Sequence, residues 1–184
     1  MRVCDYIVDY LYNYGVKDVF VLAGGGQMYM MDALARHKKM KVICMHNEQA
    51  LGMAVEAYAK ANNHFGVGFV TSGPGATNVI TGLAGAYLDS VPCLFISGQA
   101  NSDDCTFNHP TRQLGVQEIN IIPIVKPITK VALFVKEPAF TKLYLHWAMY
   151  SAKTERPGPV WLDIPLNVQC ADYCRQGSKD SKRG

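Results

Sequence analysis

Val67 to Asn78 read VGFVTSGPGATN: an apolar run of four residues enters a turn that holds Gly73, Pro74 and Gly75. A short run without alternation suits a strand buried on both faces of a parallel sheet, and the glycine-rich break after it marks a tight turn. Working outward, the same unit recurs. Towards the N-terminus, Val3, Tyr6, Ile7, Tyr10, Leu11 and Tyr14 repeat at helical spacing and stop at Gly15; Val19 to Leu22 then enter Gly24, Gly25 and Gly26. A second strand is read at Val42 to Met45 and a helix from Glu48 to Asn62. Towards the C-terminus a helix opens from the turn and runs to about Leu88, Pro92 precedes a strand at Cys93 to Ser97, a helix is expected from about Pro138 to Thr154, and Val160 to Ile164 form the last strand. Strands alternating with helices predict an α/β fold, an open parallel sheet with helices on both faces, doubly wound. Gly98 to Ile121 are polar and without period, and are expected to form an extended functional loop.

The chain has 184 residues, 49% hydrophobic and 18% charged, which suits a single domain with a sizeable core. That domain is expected over residues 1–170. Residues 171–184, rich in Ser, Lys and Gly towards the end, are expected to be a tail or the start of an interdomain linker. The net charge is +3 with no basic stripe among aromatics, so nucleic acid is not an expected partner. No apolar run approaches the roughly 18 to 20 residues that cross a bilayer, and no membrane partner is expected. Six scattered cysteines without a signal peptide point to a reducing cytoplasm.

In open parallel sheets ligands bind beyond the carboxyl ends of the strands. Three such ends carry the unusual residues: Gly24 to Gly26, His46 to Glu48, and Thr71 to Asn78. Each alone has a plainer reading. A triple glycine is most often a tight turn, a glutamate opening a helix suits the positive end of the helix dipole, and His46 reads as structural. The dinucleotide fingerprint would need glycine where Tyr29 stands, and the phosphate-loop lysine is missing, which disfavours a nucleotide-binding domain.

Together the motifs carry a resemblance. His46, Asn47, Glu48, Gln49 and Ala50, followed by Gly52, Met53, Ala54, Glu56, Tyr58 and Ala59, are similar to the segment around the activating glutamate of the acetolactate synthase family of thiamine-diphosphate enzymes. Thr71 to Asn78 resemble that family's cofactor-side turn almost letter for letter, and Arg156 to Val160 with Asp163, Ile164 and Pro165 resemble the closing strand of its first domain. The likeness runs in order over about residues 3 to 169. It implies a pyrimidine-binding, N-terminal domain in which the Glu48 carboxyl hydrogen-bonds a ring nitrogen of thiamine diphosphate and so promotes loss of the thiazolium proton, within a mostly apolar crevice near Met45, Leu51 and Met53. By the same likeness Gly24 and Gly25 line one wall of the ring pocket, Thr71, Pro74, Gly75 and Asn78 the other, and Gln117 reaches towards the reacting centre. The implied enzyme is a transferase or lyase that forms C–C bonds from, or decarboxylates, 2-keto acids.

The resemblance also implies what lies outside these residues. The family's diphosphate motif, Gly-Asp-Gly with a later Asn that together hold Mg2+, does not occur in the 184 residues, so this chain alone is expected to be incomplete and inactive, with no metal ligands of its own. Asp103 and Asp104 read as solvated loop acids. The implied partners are a second copy, as homodimer or homotetramer through the cofactor crevice, or a separate diphosphate-domain subunit. FAD, bound by some family members, is left open and no residue here calls for it. Ala23 stands where the synthases have proline, Val116 where they have phenylalanine, and Asn47 where histidine is common, which points to a relative with a changed substrate pocket. The competing reading is a catalytically silent binding or regulatory module that keeps the fold; an acid retained at Glu48 counts against it.

Overall fold

The computed structural model describes residues 1–107 and 109–173. Helix α1 (Val3–Tyr14) buries Val3, Cys4, Ile7, Val8 and Leu11 and ends where Gly15 takes φ 108°, a left-handed cap that an L side chain resists. Strand β1 (Asp18–Val21) follows, then helix α2 (Met28–Arg36), strand β2 (Lys41–Cys44), helix α3 (Glu48–Asn62) and strand β3 (Gly66–Val70). After β3 come two short helices, α4 (Pro74–Asn78) and α5 (Ile80–Leu88), and strand β4 (Cys93–Gln99). The second half adds α6 (Ile121–Val125), β5 (Val131–Phe134), α7 (Thr141–Lys153), β6 (Val160–Pro165) and α8 (Leu166–Cys170).

The six strands form one sheet in the order β2-β1-β3-β4-β6-β5, with all five pairings parallel. Pleating sends alternate residues to opposite faces. Leu94, Ile96, Val160 and Leu162 join α1, α2, α7 and α8 in one core, while Cys93, Phe95 and Trp161 join α3, α5 and α6 in the other. Burial of large side chains such as Phe69, Phe95 and Trp161, each 0% exposed, contributes about 1.5–3 kcal/mol apiece. The expected open, doubly wound sheet is what the chain forms.

Differences from the sequence reading lie at short elements. The helix expected from the turn to Leu88 is broken at Val79 into α4 and α5. The Pro138 start belongs to a 3-10 turn, Pro138–Phe140, that leads into α7. Helices α2, α6 and α8 and edge strand β5 were not anticipated. Residues 171–173, expected as tail, pack on the body: Val3 N–H donates to the Ala171 carbonyl at 2.9 Å, Tyr173 N–H to the Met1 carbonyl at 2.8 Å, and the Tyr173 ring stacks on Tyr6 at 3.9 Å. The remainder of the expected tail, 174–184, lies outside the described residues.

Candidate functional site

The sheet order places the reversal of winding between β1 and β3, since β2 follows β1 on one side and β3 lies on the other. In open parallel sheets ligands bind where the loops leaving two such carboxyl ends part. Thr71, the first residue past β3, lies between the two turns at that point. A Cβ on Gly24 would stand 2.5 Å from the Thr71 Cβ, and one on Gly75 would stand 2.6 Å from the Thr71 Cγ2. The Thr71 hydroxyl oxygen accepts the N–H of Gly26 at 3.1 Å. One side chain therefore ties the turn after β1 to the turn after β3.

Glu48 reaches the same place from α3. Asn47 caps that helix in an extended conformation, its side-chain oxygen accepting the Ala50 N–H at 3.0 Å. Glycines let the helix lie close to its neighbours: a Cβ on Gly66 of β3 would meet the Val55 carbonyl oxygen at 2.1 Å, and one on Gly82 of α5 would meet the Gly52 carbonyl carbon at 2.3 Å. The half-buried carboxyl of Glu48 consequently lands against the third turn. Its Oε2 accepts from Asn78 Nδ2 at 3.2 Å, and its Oε1 lies 3.6 Å from the Cβ position of Gly75.

Glu48, Thr71, Gly75, Asn78 and Gly24 thus form one contiguous group. Gly25 borders open space, with no atom within 4 Å of its Cβ position, so its backbone is accessible to a flat ligand. Pro74 occupies the first turn of α4, exposed, and pre-sets that helix start. Gln117 is joined to the group by its backbone: its carbonyl oxygen packs on Gly73, while its side chain is exposed and makes no hydrogen bond among the described residues. Of the residues expected around the carboxyl, Leu51 is buried at 0% exposure, Met45 packs partly buried against the same core and Met53 is 48% exposed, while the hydrogen-bond partner of Glu48 is the polar Asn78 amide.

Sequence reasoning missed a buried polar network beneath the loop. Asp163 on β6, 0% exposed, lies opposite Ser97 on β4 and takes hydrogen bonds from Ser97 Oγ at 2.6 Å and Gln99 Nε2 at 3.0 Å. Burial raises its pKa to about 7; the bonds from Ser97 and Gln99 oppose the shift, and the carboxyl of Glu118 adds to it. Glu118 itself is 5% exposed, and its Oε2 has no hydrogen-bond partner among the described residues. The available signal was an acid inside the apolar strand Val160 to Ile164. Among the described residues no group of three His, Cys, Asp or Glu is placed to hold a metal ion; Asp103 and Asp104 are exposed. No described helix is long and apolar enough to cross a membrane.

A parallel α/β domain whose winding reverses beside an acid-bearing crevice belongs to the class of ligand-binding doubly wound domains. The family described as thiamine pyrophosphate enzyme, N-terminal TPP binding domain, matches residues 1–124. The chain belongs to that family. It is 39% identical to an acetolactate synthase of Arthrospira platensis, over 97% of this chain and 32% of that protein. It is 38% identical to acetolactate synthase 2, chloroplastic, of Nicotiana tabacum, over 90% of this chain and 24% of that protein. It is 37% identical to the acetolactate synthase large subunit of Lactococcus lactis, over 88% of this chain and 27% of that protein. The chain therefore spans about a quarter to a third of the length of these relatives.

Proposed function

We propose that this domain binds the aminopyrimidine ring of thiamine diphosphate in the crevice between β1 and β3, and that it serves an enzyme acting on 2-keto acids by C–C bond formation or decarboxylation. The observation that carries this is the Glu48 carboxyl, held between Asn78 and Gly75 at the winding reversal beside the open backbone of Gly25. These residues fit the cofactor: a flat ring needs a wall without side chains, and a ring nitrogen needs an oriented carboxyl. Glu48 exchanges a proton with that nitrogen, and Asn78 fixes the oxygen that stays behind. Gly24 and Gly25 admit the ring, and Thr71 sets the spacing of the two turns. Gln117 stands at the rim on the substrate side. The cofactor, when bound, supplies the nucleophilic carbon for attack on a keto-acid carbonyl.

Mg2+ and the diphosphate are assigned to a region outside these residues, across an interface with a second copy of the protein or a separate subunit. Residues 1–170 are read as the domain, with 171–173 packed on it, and the rest as a tail or the start of an interdomain linker. Support for a reducing, cytoplasmic location comes from the five cysteines among the described residues, each of them free. Burial pushes the Cys4 thiol up to about 11 and the Cys105 thiol up to about 12, which leaves both unreactive at neutral pH. The functional test is ligand-observed NMR of the 184-residue protein with thiamine, thiamine diphosphate, ATP and NAD. The expected result is broadening of the thiamine ring signals, abolished by Glu48→Ala. Equal broadening in both proteins, or broadening of the nucleotides alone, overturns the reading.

A further inference from the structure

The buried network leads somewhere. Trp161 donates its indole N–H to Ser97 Oγ at 2.8 Å, and the Ser97 hydroxyl donates to Asp163 Oδ1 at 2.6 Å. Gln99, at the last position of β4 and 1% exposed, closes the other side: its Nε2 donates to Asp163 Oδ2 at 3.0 Å and also to the Ile119 carbonyl at 2.8 Å. Its Oε1 accepts the Ala100 N–H at 3.1 Å. A single side chain thus joins the floor of the sheet to the irregular segment that carries Gln117.

Further back the segment is tied to the body by Ser102, whose N–H and hydroxyl donate to Asn167 Oδ1 at 2.9 and 3.1 Å, and by Phe107, whose ring meets Phe134 edge-on at 4.5 Å; near Gln117 the described hydrogen bonds are internal to it. Gly115 N–H donates to the Asp104 carbonyl at 2.8 Å, Leu114 N–H to Glu118 Oε1 at 3.3 Å, and Glu118 N–H back to the Gly115 carbonyl at 3.3 Å. Gln117 adopts φ 53°, a conformation that an L residue keeps only when its surroundings impose it.

We propose that Gln99 is a positioning residue of the cofactor site: its amide bridges the Ile119 carbonyl to the Asp163 carboxylate and thereby keeps Gln117 on Gly73 at the rim of the crevice. This deepens the proposed function and takes its purpose from it, but its geometry stands independently. With Asp163 ionised the two partners are both acceptors, so the bridging group must donate twice. A neutral primary amide does so while leaving its oxygen for the following N–H. A carboxylate at position 99 would face two acceptors with no proton to offer. The titratable groups that face Asp163 among the described residues are Glu118 from the segment itself and the Cys105 thiol; β4 presents Ser97 and Gln99, and β5 sets Phe134 opposite.

The test uses Gln99→Glu, which keeps shape and removes the donors, and reads hydrogen exchange of the Leu114, Gly115 and Glu118 amides in the 184-residue protein without cofactor. Rates are taken as the ratio to wild type at the same pH, with β3 amides as the internal standard. At about pH 8 the variant should exchange these amides at least about tenfold faster, as loss of a charge-assisted hydrogen bond requires. At about pH 5.5, where a proton returns a donor to the pair of carboxyls, the excess should shrink to about twofold. Gln99→Met, which no proton can repair, should show the faster exchange at both pH values. Unchanged exchange in Gln99→Met overturns the proposal, as does equal acceleration of Gln99→Glu at both pH values, because then bulk and not the donor matters. If Gln99→Glu fails to fold, protection retained in Gln99→Met overturns it in the same way. Thiamine that does not bind sinks the functional reading and leaves the exchange result standing; thiamine that binds while exchange is unmoved sinks this assignment alone.

Discussion

The carbonyl oxygen of Gln117 lies so close over Gly73 that a Cβ on Gly73 would stand 2.0 Å from it. Both residues hold positive φ, 53° for Gln117 and 58° for Gly73. Gly73 also has ψ −122°, a region closed to L side chains. The polar loop and the turn that begins α4 are therefore one unit, and the loop's position is written into a glycine outside it.

Gly73→Ala should break that unit. Backbone strain of roughly 1–3 kcal/mol adds to a contact that only movement of the loop can relieve. At about 2–4 °C per kcal/mol for a chain of this size, the melting temperature should drop by about 5–10 °C. Calorimetric melting checks it; a drop below about 2 °C would show that the close approach does not constrain the loop.

Thr71 and Gly75 should show strong coupling. Gly75→Ala places a methyl 2.6 Å from the Thr71 Cγ2, a contact that a β-branched side chain held on both sides cannot easily yield, and the expected cost is about 1–3 kcal/mol. Thr71→Ser removes that methyl and keeps the hydroxyl for the Gly26 N–H. In the double variant alanine then gains its helical preference over glycine, and most of the loss should be recovered. Urea unfolding of the four proteins measures the cycle, and simple additivity would contradict the wedge role of Thr71.

Asn47 marks a departure from the histidine common at its place in the family, and the structure gives it a task as the cap of α3. Asn47→Ala should cost about 0.5–2 kcal/mol and loosen the first turn, on which Glu48 sits. Asn47→Asp, which also accepts from the Ala50 N–H, should cost less than half as much. Equal losses in the two variants would mean that capping is not what Asn47 contributes.

What could be read from the sequence, and what could not, follows from range. Helices α1 and α3 were legible to their ends because each carries its own signals: periodic apolar residues and a Gly15 stop in the first, and Glu48 at the start of the second. The three strand ends with unusual residues, two of them glycine-bearing, were legible for the same reason. Strand β5 was missed because its four residues become a strand only by pairing Val131 with Val160, a partner nearly thirty residues away across α7. The partners of Asp163 could not be read for a related reason, since Ser97 and Gln99 meet the acid, and Trp161 meets Ser97, only once β6 inserts between β4 and β5. The exposed side chain of Gln117 shows the opposite limit: the residue was named from a motif, but what fixes it in this chain is a backbone contact to Gly73.

Glu48→Gln keeps the size of the side chain and the bond to Asn78 while removing the acid. In the enzyme assembled with its diphosphate-binding region, exchange of the cofactor's C2 proton should slow by about two orders of magnitude or more, the usual contribution of a placed proton donor. Binding of the diphosphate should change little. Proton exchange measured by NMR after rapid acid quench decides it, and an unchanged rate would remove Glu48 from the proposed role.

Asp163 should be a titrating group at neutral pH, and Trp161 reports it. With its pKa raised to about 7 in the folded protein against roughly 3.9 unfolded, folding favours the protonated acid. The stability it contributes is fully present below about pH 4, declines as the pH rises, and is gone just above pH 7, a difference on the order of a few kcal/mol. Asp163→Asn should abolish this slope, so the wild-type minus variant difference in urea midpoint, followed from about pH 4 to 8, isolates it. The sequence has two tryptophans, and Trp147 is exposed while Trp161 is buried and bonded through Ser97 to the carboxyl. In Trp147→Phe the remaining emission should therefore titrate with a midpoint near 7, and the added Asp163→Asn should flatten it. An emission that does not change from about pH 5 to 8 would show that the carboxyl keeps one charge state throughout, and the link from indole to acid would lose its meaning.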